Sequence, residues 1–146
     1  MYVFRFMSSK EFEKFQSGET LTNTKFHGAM HASKAIGFCF LELNELDDIP
    51  YCFSFLTGIV SEDVLVIFKA PREIFKKSLG RFSDINSSDF FSTILYPEYS
   101  LTQYSPANLE LVSYTTSWDD SVDPGKYPWV KPLPKDFDKI LQKGEL

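Results

Sequence analysis

Cysteine is scarce in this chain, and neither a basic excess nor a long apolar run is present. Only Cys39 and Cys52 occur in 146 residues, both inside apolar runs, which favours buried free thiols over a disulfide or a metal site. Apolar runs such as Ala35–Leu41 fall far short of the ~20 residues that cross a bilayer. The opening residues MYVFRFMSSK lack the order of a signal peptide. We therefore expect a cytoplasmic protein without membrane contact.

The charge balance argues against one class of partner, and the size argues for one domain. With 20 acidic and 15 basic residues the net charge is -5, which disfavours a generic nucleic-acid binder but leaves room for a local basic groove. The chain is 43% hydrophobic and 16% aromatic, enough for a core of its own. We expect one domain over residues 1–117, with a Pro-rich tail, residues 118–146, packed on it.

Strands dominate the predicted secondary structure. Val64–Phe68 is an uninterrupted apolar run, which indicates a strand covered on both faces. Other runs of apolar, aromatic or β-branched residues predict four further strands: Tyr2–Phe6, Ala35–Leu43, Tyr99–Tyr104 and Leu109–Tyr114. Together with short helices, these strands predict an α+β fold.

The first predicted helix follows Ser8 or Ser9 as its cap, buries Phe12 and Phe15, and ends at Gly18. The remaining expectations are an irregular loop over Leu21–His31, an apolar helix over Tyr51–Ile59, a short helix or turn over Pro71–Leu79, and a short amphipathic helix over Asp136–Gln142.

The common catalytic motifs are absent from the sequence. It contains no GxSxG elbow, no Walker A motif and no GxGxxG fingerprint. His27 and His31 have a spacing that would place both imidazoles on one helix face, but Gly28 lies between them and no third ligand is obvious. Loop or core histidines are the simpler interpretation, and a metal hydrolase is the least favoured function.

Three polar residues at the edges of apolar strands remain as candidates. Arg5 lies between Phe4 and Phe6, where a guanidinium costs free energy unless a carboxylate or phosphate pairs with it. Ser33 precedes the second long strand, and Glu98 opens a later strand beside aromatic residues. An exposed arginine, a turn serine and a solvated acid are the alternative interpretations of these residues.

The order of these residues carries a resemblance to a known family. VFRFMSSKEFEKFQSGETLTN is similar to the first strand and helix of the ADP-ribosyltransferase superfamily, and SKAIGFCFL is similar to its second block. PEYSLTQYSPANLELVSY resembles the third block, as found in small bacterial and phage transferases and DNA-targeting toxins. The three blocks follow one another in the family's order between Val3 and Tyr114.

The resemblance implies a mixed, split β-sheet around an NAD-binding cleft. It assigns Glu98 as the catalytic acid, Arg5 to the phosphate or ribose of NAD, and Ser33 to the middle-block serine. Tyr51 or Phe55 would stack on nicotinamide. The implied activity is transfer of ADP-ribose from NAD to a protein or nucleic-acid acceptor, in a setting of conflict between phage and bacterium.

An alternative function comes from where the sequence departs from the family pattern. The middle block contains S-K-A-I-G rather than S-T-S, and the third block lacks a Q/E-x-E pair. The alternative is a catalytically inactive interaction module, such as an immunity or inhibitor protein, that keeps the fold. The sequence gives neither the acceptor nor the oligomeric state.

Overall fold

A computed structural model describes residues 1–22, 26–27, 37–50, 63–77, 98–119 and 121–143. The chain begins with strand β1 (Tyr2–Met7), helix α1 (Ser9–Gln16) and two short strands, β2 (Leu21–Thr22) and β3 (Phe26–His27). Longer strands follow as β4 (Gly37–Glu42) and β5 (Val64–Lys69). The second half contains the strands β6 (Lys76–Lys77), β7 (Glu98–Leu101), β8 (Gln103–Tyr104) and β9 (Glu110–Thr115), and then helix α2 (Phe137–Lys143). The fold is therefore α+β, as the sequence predicts.

The five longer strands form one antiparallel sheet in the order β7-β4-β1-β5-β9. The short strand β6 extends this sheet beside β7, and β3 pairs in parallel with the amino end of β4. Strands β2 and β8 form a separate two-stranded antiparallel sheet. β5 lies between β1 and β9, and its residues Val64 to Phe68 are buried, which confirms that both of its faces are covered.

Alternation along β1 divides the core into two clusters, one on each face of the sheet. Val3 and Met7 belong to the cluster that includes Phe12 and Phe15 of α1, and we call this side the α1 face. Phe4 and Phe6 belong to the cluster that includes residues of the Pro-rich tail from residue 118 onward, which we call the C-terminal segment. We call this side of the sheet the tail face. The tail-face cluster takes three buried residues from that segment: Tyr127, Phe137 and Leu141.

Helix α1 forms where the sequence predicts it. The Ser8 hydroxyl accepts a hydrogen bond from the Glu11 amide at 3.1 Å, so Ser8 is the N-cap. Gly18 follows the helix with a φ of 89°, a conformation that glycine adopts without a steric penalty. The predicted cap, buried face and end of this helix are confirmed.

Several predicted elements differ from the structure. The predicted strand Tyr99–Tyr104 is wrong as a single strand, because the chain bends at Thr102 and its two halves join different sheets. The expected loop over Leu21–His31 contains the short strands β2 and β3. Of the segment Pro71–Leu79, Arg72–Ile74 forms one 3-10 turn, and β6 follows. The expected helix over Tyr51–Ile59 lies outside the described residues.

The described part of the chain contains no helix that is both long enough and apolar enough to span a membrane.

Candidate functional site

The strands that carry the three sequence blocks are neighbours in the sheet. β4 lies between β1 and β7, so that Phe4 pairs with Leu41 and Leu41 pairs with Glu98. Because neighbouring strands are about 4.8 Å apart, the backbones of Phe4 and Glu98 are separated by roughly 10 Å. The fold thus brings blocks that are far apart in sequence to adjacent strands.

Arg5 lies on the α1 face and is buried, with 2% of its surface exposed. Its Nε donates to Oε2 of Glu11 at 2.8 Å, and its Nη2 donates to Oε1 of the same carboxylate at 2.8 Å. The guanidinium carbon lies 5.4 Å from the ring centre of Phe38 and 5.8 Å from that of Phe40. A bidentate ion pair and two aromatic rings therefore compensate for the burial of this charge. The alternative of an exposed arginine is wrong.

The Glu11 carboxylate also accepts a hydrogen bond from the buried hydroxyl of Tyr104. Burial raises the pKa of Tyr104 strongly, and the negative charge of Glu11 raises it further, while Arg5 acts in the opposite direction. The phenol consequently stays protonated and remains a donor over the physiological pH range. We call these three residues, Arg5, Glu11 and Tyr104, the Arg5 cluster.

The local sequence explains how Glu11 reaches Arg5. Ser8 and Glu11 have the S-x-x-E spacing of a capping box, in which the Ser hydroxyl caps the helix and the acid lies in its first turn. Here the Glu11 side chain pairs with Arg5 across the turn between β1 and α1. One short segment thus supplies both the charge and its partner.

A cavity of about 510 Å³ opens beside this cluster, between α1, β2 and the start of β4, and we call it the α1–β2 cavity. Glu11 connects the two features, because its side chain is 12% exposed and lines the cavity while it binds Arg5. The lining combines cationic, acidic, hydroxyl and apolar side chains: Lys10, Glu11, Lys14, Glu19, Thr20, Leu21, Thr22 and Phe38.

A second polar cluster joins β4, β7 and the 3-10 turn. Arg72 Nη2 donates to Glu42 Oε1 at 2.6 Å, and its Nη1 donates to the Tyr99 hydroxyl at 3.1 Å. Burial raises the pKa of Tyr99, and the Glu42 charge raises it further. Because the Arg72 side chain is 54% exposed, we interpret this cluster as a surface brace that fixes the start of β7.

Only some of the predicted site residues belong to the described part of the chain. Glu98 opens β7, as predicted, and its backbone pairs with Leu41 near the carboxyl end of β4. Ser33, Tyr51 and Phe55 lie outside the described residues. The first described residue after Ser33 is Gly37, at the amino end of β4. Gly37 lies four residues before Leu41, the partner of Glu98, so their backbones are roughly 13 Å apart along the strand.

The histidine pair is also only partly described. His27 lies on β3, and its backbone pairs with Phe38, while His31 falls outside the described residues. Within the described ranges, no group of three or more His, Cys, Asp or Glu side chains is placed to hold a metal ion.

The sequence analysis missed Glu11 and Tyr104 as site residues. The need for a partner at Arg5 was evident, and the S-x-x-E spacing marks Glu11 as a residue of the first helical turn. A search for acids just past the turn that follows β1 would have found Glu11. No local pattern indicates Tyr104, which lies 93 positions after Glu11 and meets it only in the folded chain.

Comparisons with known proteins identify no relative. No family model matches the chain, and no curated protein or solved structure matches it either.

Proposed function

We propose that this chain is an NAD-dependent ADP-ribosyltransferase that acts on a macromolecular acceptor. The observation that carries the proposal is the adjacency of β1, β4 and β7, the strands of the three blocks that resemble this superfamily. Such adjacency supports a site to which all three blocks contribute. The acidic charge of the chain does not oppose it, because NAD needs only local cations.

Glu98 is the catalytic residue of the proposal. In the transfer, the bond between ribose C1′ and the nicotinamide nitrogen breaks, and nicotinamide leaves with the bonding electron pair. A nucleophilic atom of the acceptor forms the new bond to C1′ and loses its proton to solvent or to a base. A carboxylate beside the ribose stabilises the positive charge that develops on the sugar, more in the transition state than in the ground state.

Arg5 takes a different role from the one that the resemblance implies. Its guanidinium is held by Glu11 and covered by Phe38 and Phe40, so we assign it as a positioning residue for the Glu11 side chain. In this proposal, contact with the NAD phosphates falls to other side chains.

The test is a transfer assay with labelled NAD on wild type and Glu98→Gln, against a cell extract as the source of acceptor. We expect the variant to lose about a hundredfold or more in rate, because one well-placed charge contributes on that order. Glu110→Gln is the matched control, since Glu110 is an exposed acid that opens β9. Equal rates for wild type and Glu98→Gln would remove the catalytic assignment.

NAD binding is tested separately by thermal denaturation. Ligand at a hundred times its dissociation constant stabilises the native state by about 2.7 kcal/mol. We expect such protection for wild type and Glu98→Gln alike, because the substitution removes charge at the reacting centre and leaves most of the cleft intact.

A catalytically inactive interaction module is the second candidate, and the Arg5 cluster favours it. Arg5 is 2% exposed and paired with a carboxylate, so its guanidinium stabilises the fold rather than contacting a ligand. If the chain is such a module, NAD should not raise its thermal stability and no ADP-ribose should be transferred. A partner protein should then co-purify with the chain. Protection by NAD without transfer would indicate a fold that keeps its ligand but has lost its chemistry.

A further inference from the structure

The α1–β2 cavity has the size of a small-molecule site. Its volume of about 510 Å³ lies within the range of roughly 300–1,000 Å³ that is typical of ligand pockets. It is bounded by α1 on one side and by β2 on the other, and Phe38 supplies an apolar part of the wall. A closed duplex or a folded protein domain would not enter a space of this size, whereas a mononucleotide would.

Two cations lie together on one side of the cavity. Lys10 and Lys14 are separated by one turn of α1, so their side chains are neighbours on the helix surface, and both line the cavity. Thr20 and Thr22 add hydroxyl groups from the other side. Ammonium and hydroxyl donors around one space are suited to the oxygens of a phosphate.

Two acids, Glu11 and Glu19, also line the cavity, and they narrow the class of ligand. The charge of Glu11 is already compensated by Arg5, and Glu19 accepts a hydrogen bond from the Ser17 hydroxyl at 3.0 Å. Carboxylates disfavour a bare inorganic anion, but they accept hydrogen bonds from ribose hydroxyls and from amino groups, as acids do in nucleotide sites. The lining therefore suits a ligand that has phosphate at one end and donors at the other.

We propose that the α1–β2 cavity binds a nucleotide, with its phosphates at Lys10 and Lys14 and its hydroxyl or amino donors toward Glu19. This site does not rest on the transferase activity, since it follows from the cavity and its lining alone. A nucleotide bound here contacts α1, β2 and β4 together and stabilises the packing of α1 on the sheet.

The experiment is calorimetric titration of the full chain with ADP. We expect saturable binding by wild type and a loss of about tenfold or more in affinity for Lys10→Gln/Lys14→Gln, because charge-assisted hydrogen bonds are removed. The matched control is Lys135→Gln/Lys139→Gln, which removes the same charge from exposed positions beside and on α2, on the tail face. The control should bind ADP as wild type does.

Titrations with other phosphate-containing ligands show which kind of ligand the cavity prefers. Inorganic pyrophosphate should bind more weakly than ADP, and Glu19→Gln should reduce that difference. A single-stranded oligonucleotide that competes better than ADP would overturn the proposal in favour of a nucleic-acid surface. Absence of saturable ADP binding at millimolar concentration, or equal affinity for wild type and Lys10→Gln/Lys14→Gln, would also overturn it.

The nucleotide site and the transferase activity can fail independently. Glu98→Gln should bind ADP with wild-type affinity even though it loses transfer. ADP binding that Lys10→Gln/Lys14→Gln weakens, without transfer in wild type, supports the cavity and removes the proposed enzyme. Transfer that persists in Lys10→Gln/Lys14→Gln, with ADP affinity unchanged, retains the enzyme and removes the cavity site.

Discussion

The two faces of the sheet are stabilised in different ways. The tail face is covered by apolar side chains of the C-terminal segment, and the Phe137 ring meets Tyr2 edge to face at a centroid distance of 5.1 Å. The α1 face also has a large apolar cluster, but Arg5 and Glu11 form an ion pair within it. Among the described residues, the tail-face cluster is formed by apolar side chains, whereas the α1 face also contains a compensated ion pair that borders the α1–β2 cavity.

This difference relates stability to function within one sheet. Apolar burial on the tail face depends on volume and contact and is nearly independent of pH. The Arg5 cluster depends on each of its partners, because removal of one leaves another charge or donor unsatisfied. Substitutions on the two faces should therefore differ in their pH dependence and in whether a second substitution rescues them.

The largest expected loss comes from the tail face. Phe137→Ala removes a ring that is 3% exposed and should lower the free energy of unfolding by about 4 kcal/mol, because a cavity is left in the core. Urea denaturation at several pH values measures it, and the loss should not vary between them. Ile140→Ala, at a half-buried position of α2, is the control and should cost less. Equal losses at the two positions would mean that α2 is not anchored through Phe137.

A smaller loss, of about 3 kcal/mol, is expected for Arg5→Ala, which leaves the Glu11 carboxylate partly buried without its ion pair. The double variant Arg5→Met/Glu11→Leu should recover part of this loss, since apolar side chains of similar volume can replace a buried ion pair, although the Tyr104 hydroxyl loses its acceptor. Denaturation of wild type, Arg5→Met, Glu11→Leu and the double variant forms a complete cycle. A double variant no more stable than Arg5→Ala would show that the cluster is stabilised by packing rather than by pairing.

The smallest expected effect is that of Tyr104→Phe, and it depends on pH. At neutral pH the lost hydrogen bond to Glu11 should cost about 1.5 kcal/mol. The pKa of Tyr104 is raised in the native state above its ordinary value of 10.0, so the native state holds this proton more tightly than the unfolded chain does. The stability that this proton contributes is complete below pH 10 and is lost as the pH rises further.

Wild type should accordingly lose stability more steeply than Tyr104→Phe above pH 10, with a difference in slope that approaches about 1.4 kcal/mol per pH unit. The difference between their unfolding free energies from pH 8 to pH 11 isolates this group from the other tyrosines. Parallel curves would show that the Tyr104 hydroxyl is not buried against a carboxylate.

Elements with a strong local signal could be predicted from the sequence. β5 follows from five consecutive apolar residues, and α1 follows from its serine cap, its two phenylalanines and Gly18. The short amphipathic helix predicted over Asp136–Gln142 is observed over Phe137–Lys143. In each case residues close in sequence determine the structure, and the pattern is long enough to show its period.

Features that depend on distant contacts could not be predicted in this way. β2 and β3 have two residues each, too few to show alternation, and they form only where a partner strand lies beside them. No Gly or Pro marks the bend at Thr102, which turns Tyr104 toward Phe15 on the α1 face. The ion pair joins residues six apart across a turn, which is neither a helical nor a strand spacing.

The C-terminal segment also protects an edge of the sheet. β9 is the last strand of the described sheet on its side, and Val130 donates its amide to the Tyr114 carbonyl at 2.8 Å. The Ser113 and Thr115 hydroxyls donate to the carbonyls of Pro132 and Pro128 at 3.1 Å each. Truncation before this segment would therefore uncover backbone groups that can pair with another chain, and self-association would accompany the loss of stability.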